Sequence, residues 1–447
     1  MKDLTKGYPG KIIFLYTIPI ILGNILQQIY NVTDSKIVSM FVDTDALAAV
    51  GNTSVVSNLV MGFVVGLTQG YSIMVARSFG AGDKIGIRKY VGGTIVLSLG
   101  MGVALMALTI VLIRPILVLL NTPTEIMEIS VSYLRIILFG TVFIVVYNAC
   151  ANVLRAVGDS KRPLYFLILS IVINIGLDYL FVGPMHMGID GAGYATIISQ
   201  AVCALVCVIY MLIRTRDLFP QGKQEWLPEK TVYSKLLPLG FSMALMTSIV
   251  NIGTVILQWA INSLGTVYVT AHIAARRIFT ILMCCIYSFG FSITTYVSQN
   301  MGASEYKRVR QGIRHALIIV TVISVLLCCV CHAFGDEMIV WLVSDPTATD
   351  IIEPAVSYIK IGIVFYYALG PLFIFRCALQ GMGLKFVPIL SSLLECATKI
   401  VFAFALVPFM GYFGIILTEP ISWCLMTLAL LVAYLVVLKK GIENVKI

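Results

Sequence analysis

The chain has 447 residues, of which 59% are hydrophobic and 12% charged, with a formal net charge of +9. A soluble globular chain is about one quarter charged, so this composition excludes a soluble fold and describes an all-α polytopic membrane protein. The basic excess is spread over many short connections and forms no single basic face, which excludes nucleic acid as a partner.

Apolar runs of about 18 residues or more predict twelve membrane spans. Span 1 (12–40) carries QQIYNVTDSKIVS from Gln27 to Ser39, with Asp34 inside an otherwise apolar run. An acid at the bilayer centre costs about 2.5 to 3.5 kcal/mol on insertion scales, which makes it a functional-site candidate by default. The competing reading puts Asp34 at the outer interface, because span 1 is long and acids follow it. Pro19, in the same span, has no amide donor and interrupts the helical ladder. Spans 2 (47–76), 3 (91–113) and 4 (130–154) follow. Span 5 (164–183) reads SIVINIGLDYLF and puts Asn174 and Asp178 one helical turn apart on one face. In span 6 (191–213) Thr196 follows GAGYA.

The segment RTRDLFPQGKQEWLPEK, from Arg214 to Lys230, contains Pro220 and Pro228 and no apolar periodicity, so it reads as a linker. Spans 7 to 12 occupy 236–260, 269–297, 314–334, 354–379, 387–409 and 412–438. Span 11 contains SSLLECATKIVFAF, where Glu395 and Lys399 stand four residues apart in the orientation that favours an ion pair. Two readings stay open there. Either the pair is structural and self-neutralising, or Glu395 is a second coupling acid with Lys399 as its counter-ion. Arg135 and Lys360, at equivalent positions in spans 4 and 10, read as side chains reaching for lipid headgroups. Arg276, Arg277 and Arg376 receive no role.

Charge orients the spans. Even-numbered connections carry Lys84, Arg88 and Lys89, then Arg155, Lys161 and Arg162, the basic linker, then Lys307, Arg308, Arg310 and Arg314, and Lys385. Odd-numbered connections carry Asp43, Asp45, Glu125, Glu128, Asp190, Asp336, Glu337, Asp345 and Asp350, with Arg114 the basic exception. By the positive-inside rule both termini are cytoplasmic. No cleavable signal peptide is read before span 1.

The two halves repeat. VARSFGAGDKIGIRK after span 2 matches VSQNMGASEYKRVRQ after span 8, so that Gly80, Ala81 and Asp83 fall on Gly302, Ala303 and Glu305. Spans 4 and 10 align Tyr133 with Tyr358, Leu154 with Leu379, Gly158 with Gly383 and Pro163 with Pro388, while Pro19 matches Pro238. Six spans per half is an even number, so the halves share one orientation and a pseudo-twofold axis along the bilayer normal. The expected organisation is a six-helix lobe over 1–213 with the ion site, a cytoplasmic linker over 214–235, and a second six-helix lobe over 236–447.

No phosphate-cradling G-x-x-x-x-G-K-[ST], G-x-S-x-G elbow or H-E-x-x-H zinc pair occurs, so no enzyme chemistry is read and a carrier is expected. The four histidines are scattered and read as structural. The eleven cysteines lie in apolar runs and read as small buried hydrophobes rather than disulfides or metal ligands. Two carboxylates facing one cavity, Asp34 and Asp178, resist carrying two charges together. Such a pair binds either a proton or a small cation, with Asn174 and Thr196 supplying neutral oxygens.

Pro19, YNVTD ending at Asp34, NIGLD ending at Asp178, GAGYAT ending at Thr196 and the paired GAGD and GASE loops together resemble the multidrug and toxic compound extrusion (MATE) family, most nearly its DinF-type branch. The similarity runs through all twelve spans. It implies an antiporter that exports organic, cationic or amphipathic compounds in exchange for H+ or Na+. Asp34, Asn174, Asp178 and Thr196 would be the cation-coupling set, Gln27, Tyr30 and Asn148 would line the cavity, and Pro19 would be a helix hinge. No cofactor and no metal beyond Na+ at that set is implied. A monomer in a prokaryotic inner (plasma) membrane is expected, with the lipid bilayer and small organic molecules as its partners. Branches that place essential acids inside spans 7 and 10 have no counterpart here.

Three other families share features with this chain. DKIGIRK imitates part of a major-facilitator loop, but Phe79 stands where that signature needs glycine. A lipid-linked oligosaccharide or lipid flippase shares the fold, yet needs a cationic cavity where the first lobe offers acids. A membrane prenyltransferase lacks its aspartate-rich metal motif.

Overall fold

The computed structural model describes residues 2–120, 122–343 and 347–445. Its long helices are α1 (Pro9–Phe41), α2 (Thr44–Gly80), α3 (Lys84–Leu119), α4 (Thr124–Ala156), α5 (Lys161–Val182) and α6 (Gly188–Arg214), then, after the short α7 (Lys223–Trp226), α8 (Lys230–Asn262), α9 (Thr266–Gly302) and α10 (Tyr306–Val343). They continue with α11 (Thr349–Val364), α12 (Tyr366–Gly381), α13 (Phe386–Ala405), the one-turn α14 (Val407–Met410) and α15 (Tyr412–Lys440). Among the described residues eleven helices are long and apolar enough to cross a membrane, and α11 with α12 makes a twelfth crossing. The acid Asp345 lies outside the described residues.

Span 10, expected as one continuous helix, is bent by 54° between α11 and α12. The backbone shows why. Phe365 N donates to Gly362 O at 3.1 Å and Ala368 N to Phe365 O at 2.9 Å, so three-residue bonds replace the α-helical ladder at the joint. The linker is also less irregular than expected. Its α7 presents Glu225, which accepts from Arg88 Nε at 2.9 Å and from the Gln221 backbone N at 2.6 Å.

The chain forms two compact units, one of Met1–Asp3 with Leu22–Ala244, the other of Leu4–Ile21 with Leu245–Ile447. These divisions fall at other places than the lobe boundaries of 213 and 236 expected from the sequence. One division passes through α1 two residues after Pro19, the other through α8 after Ala244. α1 nevertheless runs unbroken through Pro19. In the first unit a Cβ on Gly66 would come within 2.6 Å of Met243 O, and Gly70 faces Leu239 O as closely, so bare glycines let α2 and α8 meet backbone to backbone. The second unit packs around Phe279, Phe289, Tyr296 and Tyr366.

The repeat appears in the backbone as matched left-handed turns. Gly158 (φ 84°) pairs with Gly383 (φ 96°), Gly188 (φ 61°) with Gly411 (φ 57°), and Gly82 (φ 68°) with Ser304 (φ 58°). These turns pin the register of the two halves. All eleven cysteines are free thiols.

Candidate functional site

In the first unit, α1, α4, α5 and α6 bring one polar cluster together in an apolar setting. Asp178 is fully buried and Asn174, one turn earlier on α5, is 1% exposed. With its amide nitrogen turned toward the acid, Asn174 Nδ2 donates to Asp178 Oδ2 at 2.8 Å and to the Tyr30 hydroxyl at 3.3 Å. Its oxygen accepts from the Thr196 backbone N at 3.2 Å. Tyr30 and Thr196 are thus joined through the one Asn174 amide. The Asp34 and Asp178 carboxyl groups come within hydrogen-bonding reach of each other. Each keeps a buried Oδ1 that meets no donor among the described residues. Two carboxyl groups at that distance repel unless a proton or a cation lies between them.

All four members of the expected coupling set thus meet at one place. Asp34 turns toward α5. Tyr30, expected as a cavity-lining residue, belongs to the cluster itself. Tyr133 of α4 lies near enough to feel the charge of both acids, a residue that appeared in the sequence only as a landmark of the repeat. Gln27 lies two turns before Asp34 on α1, and Asn148 spends its amide on Ile144 O of its own helix at 2.8 Å. Among the described residues neither joins the hydrogen bonds of the cluster.

The second unit contains the expected Glu395–Lys399 pair, at 3.0 Å and buried. It is not isolated. Arg376 Nη2 lies 3.4 Å from Glu395, and Arg276 Nη1 lies 2.7 Å from Glu419. Lys399 Nζ is 3.9 Å from Glu419, which also accepts from the Tyr358 hydroxyl at 3.0 Å. Glu419 is not among the sequence candidates, although it too is an acid within an apolar run, as Asp34 is. Lys360 pairs with Asp336 and is not simply turned to headgroups.

The MatE family profile matches residues 19–180 and 238–405. The chain belongs to the MATE family. Among relatives, it is 28% identical over 382 residues to the probable multidrug resistance protein YpnP of Bacillus subtilis, covering 85% of this chain and 84% of that one. It is 24% identical over 437 residues to a protein of Shewanella oneidensis named as an FAD transporter, covering 96% of each. A solved structure described as the outward-facing conformation of a multidrug resistance MATE family transporter superposes with a TM-score of 0.91 at 23% identity, covering 99% of both chains. This MATE-family chain is therefore a multi-pass membrane protein of a multidrug efflux transporter family, with the twelve-helix fold of that family.

Proposed function

We propose that the protein is a secondary antiporter that exports organic, cationic or amphipathic compounds and takes up H+ or Na+ in exchange, by alternating access. The observation that carries this reading is the meeting of Asp34 and Asp178 in a buried cluster with Asn174 and Thr196. A proton or a sodium ion relieves the repulsion of the two acids, and the neutral oxygens around them complete an ion's surroundings. Release of the ion restores the repulsion and would make the cluster receptive to a cationic substrate in a first-lobe cavity that Gln27 and Asn148 would line. Competition of ion and substrate for one lobe is what couples their fluxes.

Pro19 would be the moving joint. It removes one rung of the ladder just before α1 passes from the second unit to the first, so bending there is inexpensive. On this reading both termini and the 214–235 linker would lie in the cytoplasm, the protein in the plasma membrane of a prokaryote, and the working unit would be a monomer with no organic cofactor. The names carried by the relatives, multidrug resistance protein and FAD transporter, are those of proteins that handle small organic molecules, which supports a carrier over an enzyme. The alternative, a lipid-linked oligosaccharide or lipid flippase, would transport without either gradient. The test is uptake of an organic cation into proteoliposomes under an imposed proton or sodium gradient. Dependence on one gradient is the expected result, and transport indifferent to both would sink the antiport reading.

A further inference from the structure

The repeat carries the ion cluster of the first unit onto the charge network of the second. In the register pinned by Gly158 and Gly383, Tyr133 corresponds to Tyr358, Ser170 to Glu395 and Asn174 to Lys399. In the register pinned by Gly188 and Gly411, MGIDGAGYAT from Met187 aligns with MGYFGIILTE from Met410, so Thr196 corresponds to Glu419. The match of Pro19 and Pro238 carries Asp34 onto Gly253. A Cβ at Gly253 would sit 3.1 Å from Lys399 Cδ, and the neighbouring Thr254 Oγ1 lies 3.4 Å from Lys399 Nζ. Where the first unit has an acid, the second has a bare glycine and a lysine stem passing over it. A tethered ammonium thus takes the place that the first unit leaves to a mobile cation.

This network borders a cavity of about 220 Å³ within the second unit. Its charged lining is Arg276, Arg376, Lys399, Glu395 and Glu419, three cations against two anions. Glu395 is shared by Lys399 and Arg376, and Glu419 by Arg276, Lys399 and the Tyr358 hydroxyl. Arg376 is 4% exposed; its Nε donates to Ser391 Oγ at 3.0 Å, and its contact with Glu395 is long. One positive charge is left without a matching carboxylate in a setting where unpaired charge is costly. The rest of the wall is mostly apolar, with Trp423, Met246, Met283 and Met426 giving a deformable surface suited to ligands of varied shape, and Asn251 and Thr254 among its few neutral polar groups.

We propose that this second-unit cavity is a binding site for an organic oxyanion, a carboxylate or phosphate on an apolar body, held by Arg376 and the Arg276–Lys399 side of the network. It extends the substrate range of the proposed antiporter from cationic compounds to anionic and zwitterionic ones, and rests on that reading only for the transport step. Fork-shaped guanidinium groups suit both oxyanions.

Binding is measured on the purified full-length protein in phosphatidylcholine nanodiscs, without an ion gradient, by fluorescence of dansylglycine, dansylglycine amide and a dansyl-aminoethyl phosphate. The carboxylate and phosphate probes are expected to bind at least about tenfold more tightly than the neutral amide, a factor equal to one well-placed charged contact. Comparison of the two acids tells which oxyanion is preferred. Arg376→Gln should erase most of that preference, whereas Glu395→Gln, which raises the net positive charge, should strengthen it. Equal affinity of acid and amide for the unsubstituted protein would overturn the proposal. So would an acid preference that survives Arg376→Gln in folded protein. If Arg376→Gln does not fold, weaker acid binding in Glu395→Gln overturns it instead. Because no gradient is present, failure of ion coupling leaves these outcomes untouched, and their failure leaves coupling untouched.

Discussion

Arg276 Nη1 stands 2.7 Å from Glu419 Oε2, tying α9 to α15 and closing a chain of charges that runs through Lys399 and Glu395 to Arg376. The Glu395–Lys399 pair is therefore one link of a longer network, and its sequence spacing alone would mislead a mutational test. An isolated pair tolerates reversal. Here, Glu395→Lys with Lys399→Glu would set a lysine against Arg376 and a glutamate against Glu419. The double variant is expected to lose as much stability as either single alanine variant, about 3 to 5 kcal/mol for a broken buried pair. Thermal unfolding in detergent checks this; recovery of unsubstituted stability by the double variant would show that the wider network is energetically idle.

Asp34→Asn and Asp178→Asn are each expected to abolish gradient-driven extrusion of an organic cation while expression is retained. Each removes one of the two carboxyl groups whose repulsion the coupling ion relieves. Asn174→Leu removes the 2.8 Å donor to Asp178 and should reduce coupled transport at least about tenfold without abolishing it, the effect of one charged hydrogen bond. Full coupled transport in either aspartate variant would remove that residue from the ion site.

Pro19→Ala restores a rung of α1 next to the point where the helix changes units. Turnover is expected to fall about tenfold with substrate affinity nearly unchanged, because a stiffer helix slows the conformational step and leaves the binding groups in place. Affinity and turnover falling together would argue that Pro19 shapes the site and is not a hinge.

Gly70→Ala is expected to destabilise the first unit by about 1 to 3 kcal/mol, since the added methyl meets the backbone of Leu239, which has no rotamer to yield. Gly100→Ala is the control. A Cβ there meets nothing within 4 Å, and alanine in a helix interior should be neutral or stabilising by about 0.5 to 1 kcal/mol. Equal unfolding temperatures for the two variants would contradict the close approach of α2 and α8.

Orientation is testable with single cysteines in a cysteine-free background. Asp43→Cys should react with an impermeant thiol reagent from outside intact cells, and Gln224→Cys, exposed on α7, only after the membrane is opened. The reverse pattern would invert the placement of both termini.

The sequence by itself determined the twelve apolar crossings, the two-fold repeat and the identity of the polar residues that have no business in lipid. Those properties are local: span length follows from bilayer thickness, repeat register from turn chemistry, and an acid in an apolar run is visible without knowing its neighbours. The tertiary structure alone decided which of these groups meet. Which face of α1 turns toward α5, why Tyr30 and Tyr133 lie near the two acids, and how Glu419 comes to share Lys399 and Arg276 all depend on the rotation and depth of separate helices. So does the handover of α1 between units just past Pro19, where a proline that looks the same in any sequence window acquires its meaning from what lies on either side of it. Helix rotation is set by packing against neighbours distant in the chain, and no local pattern encodes it.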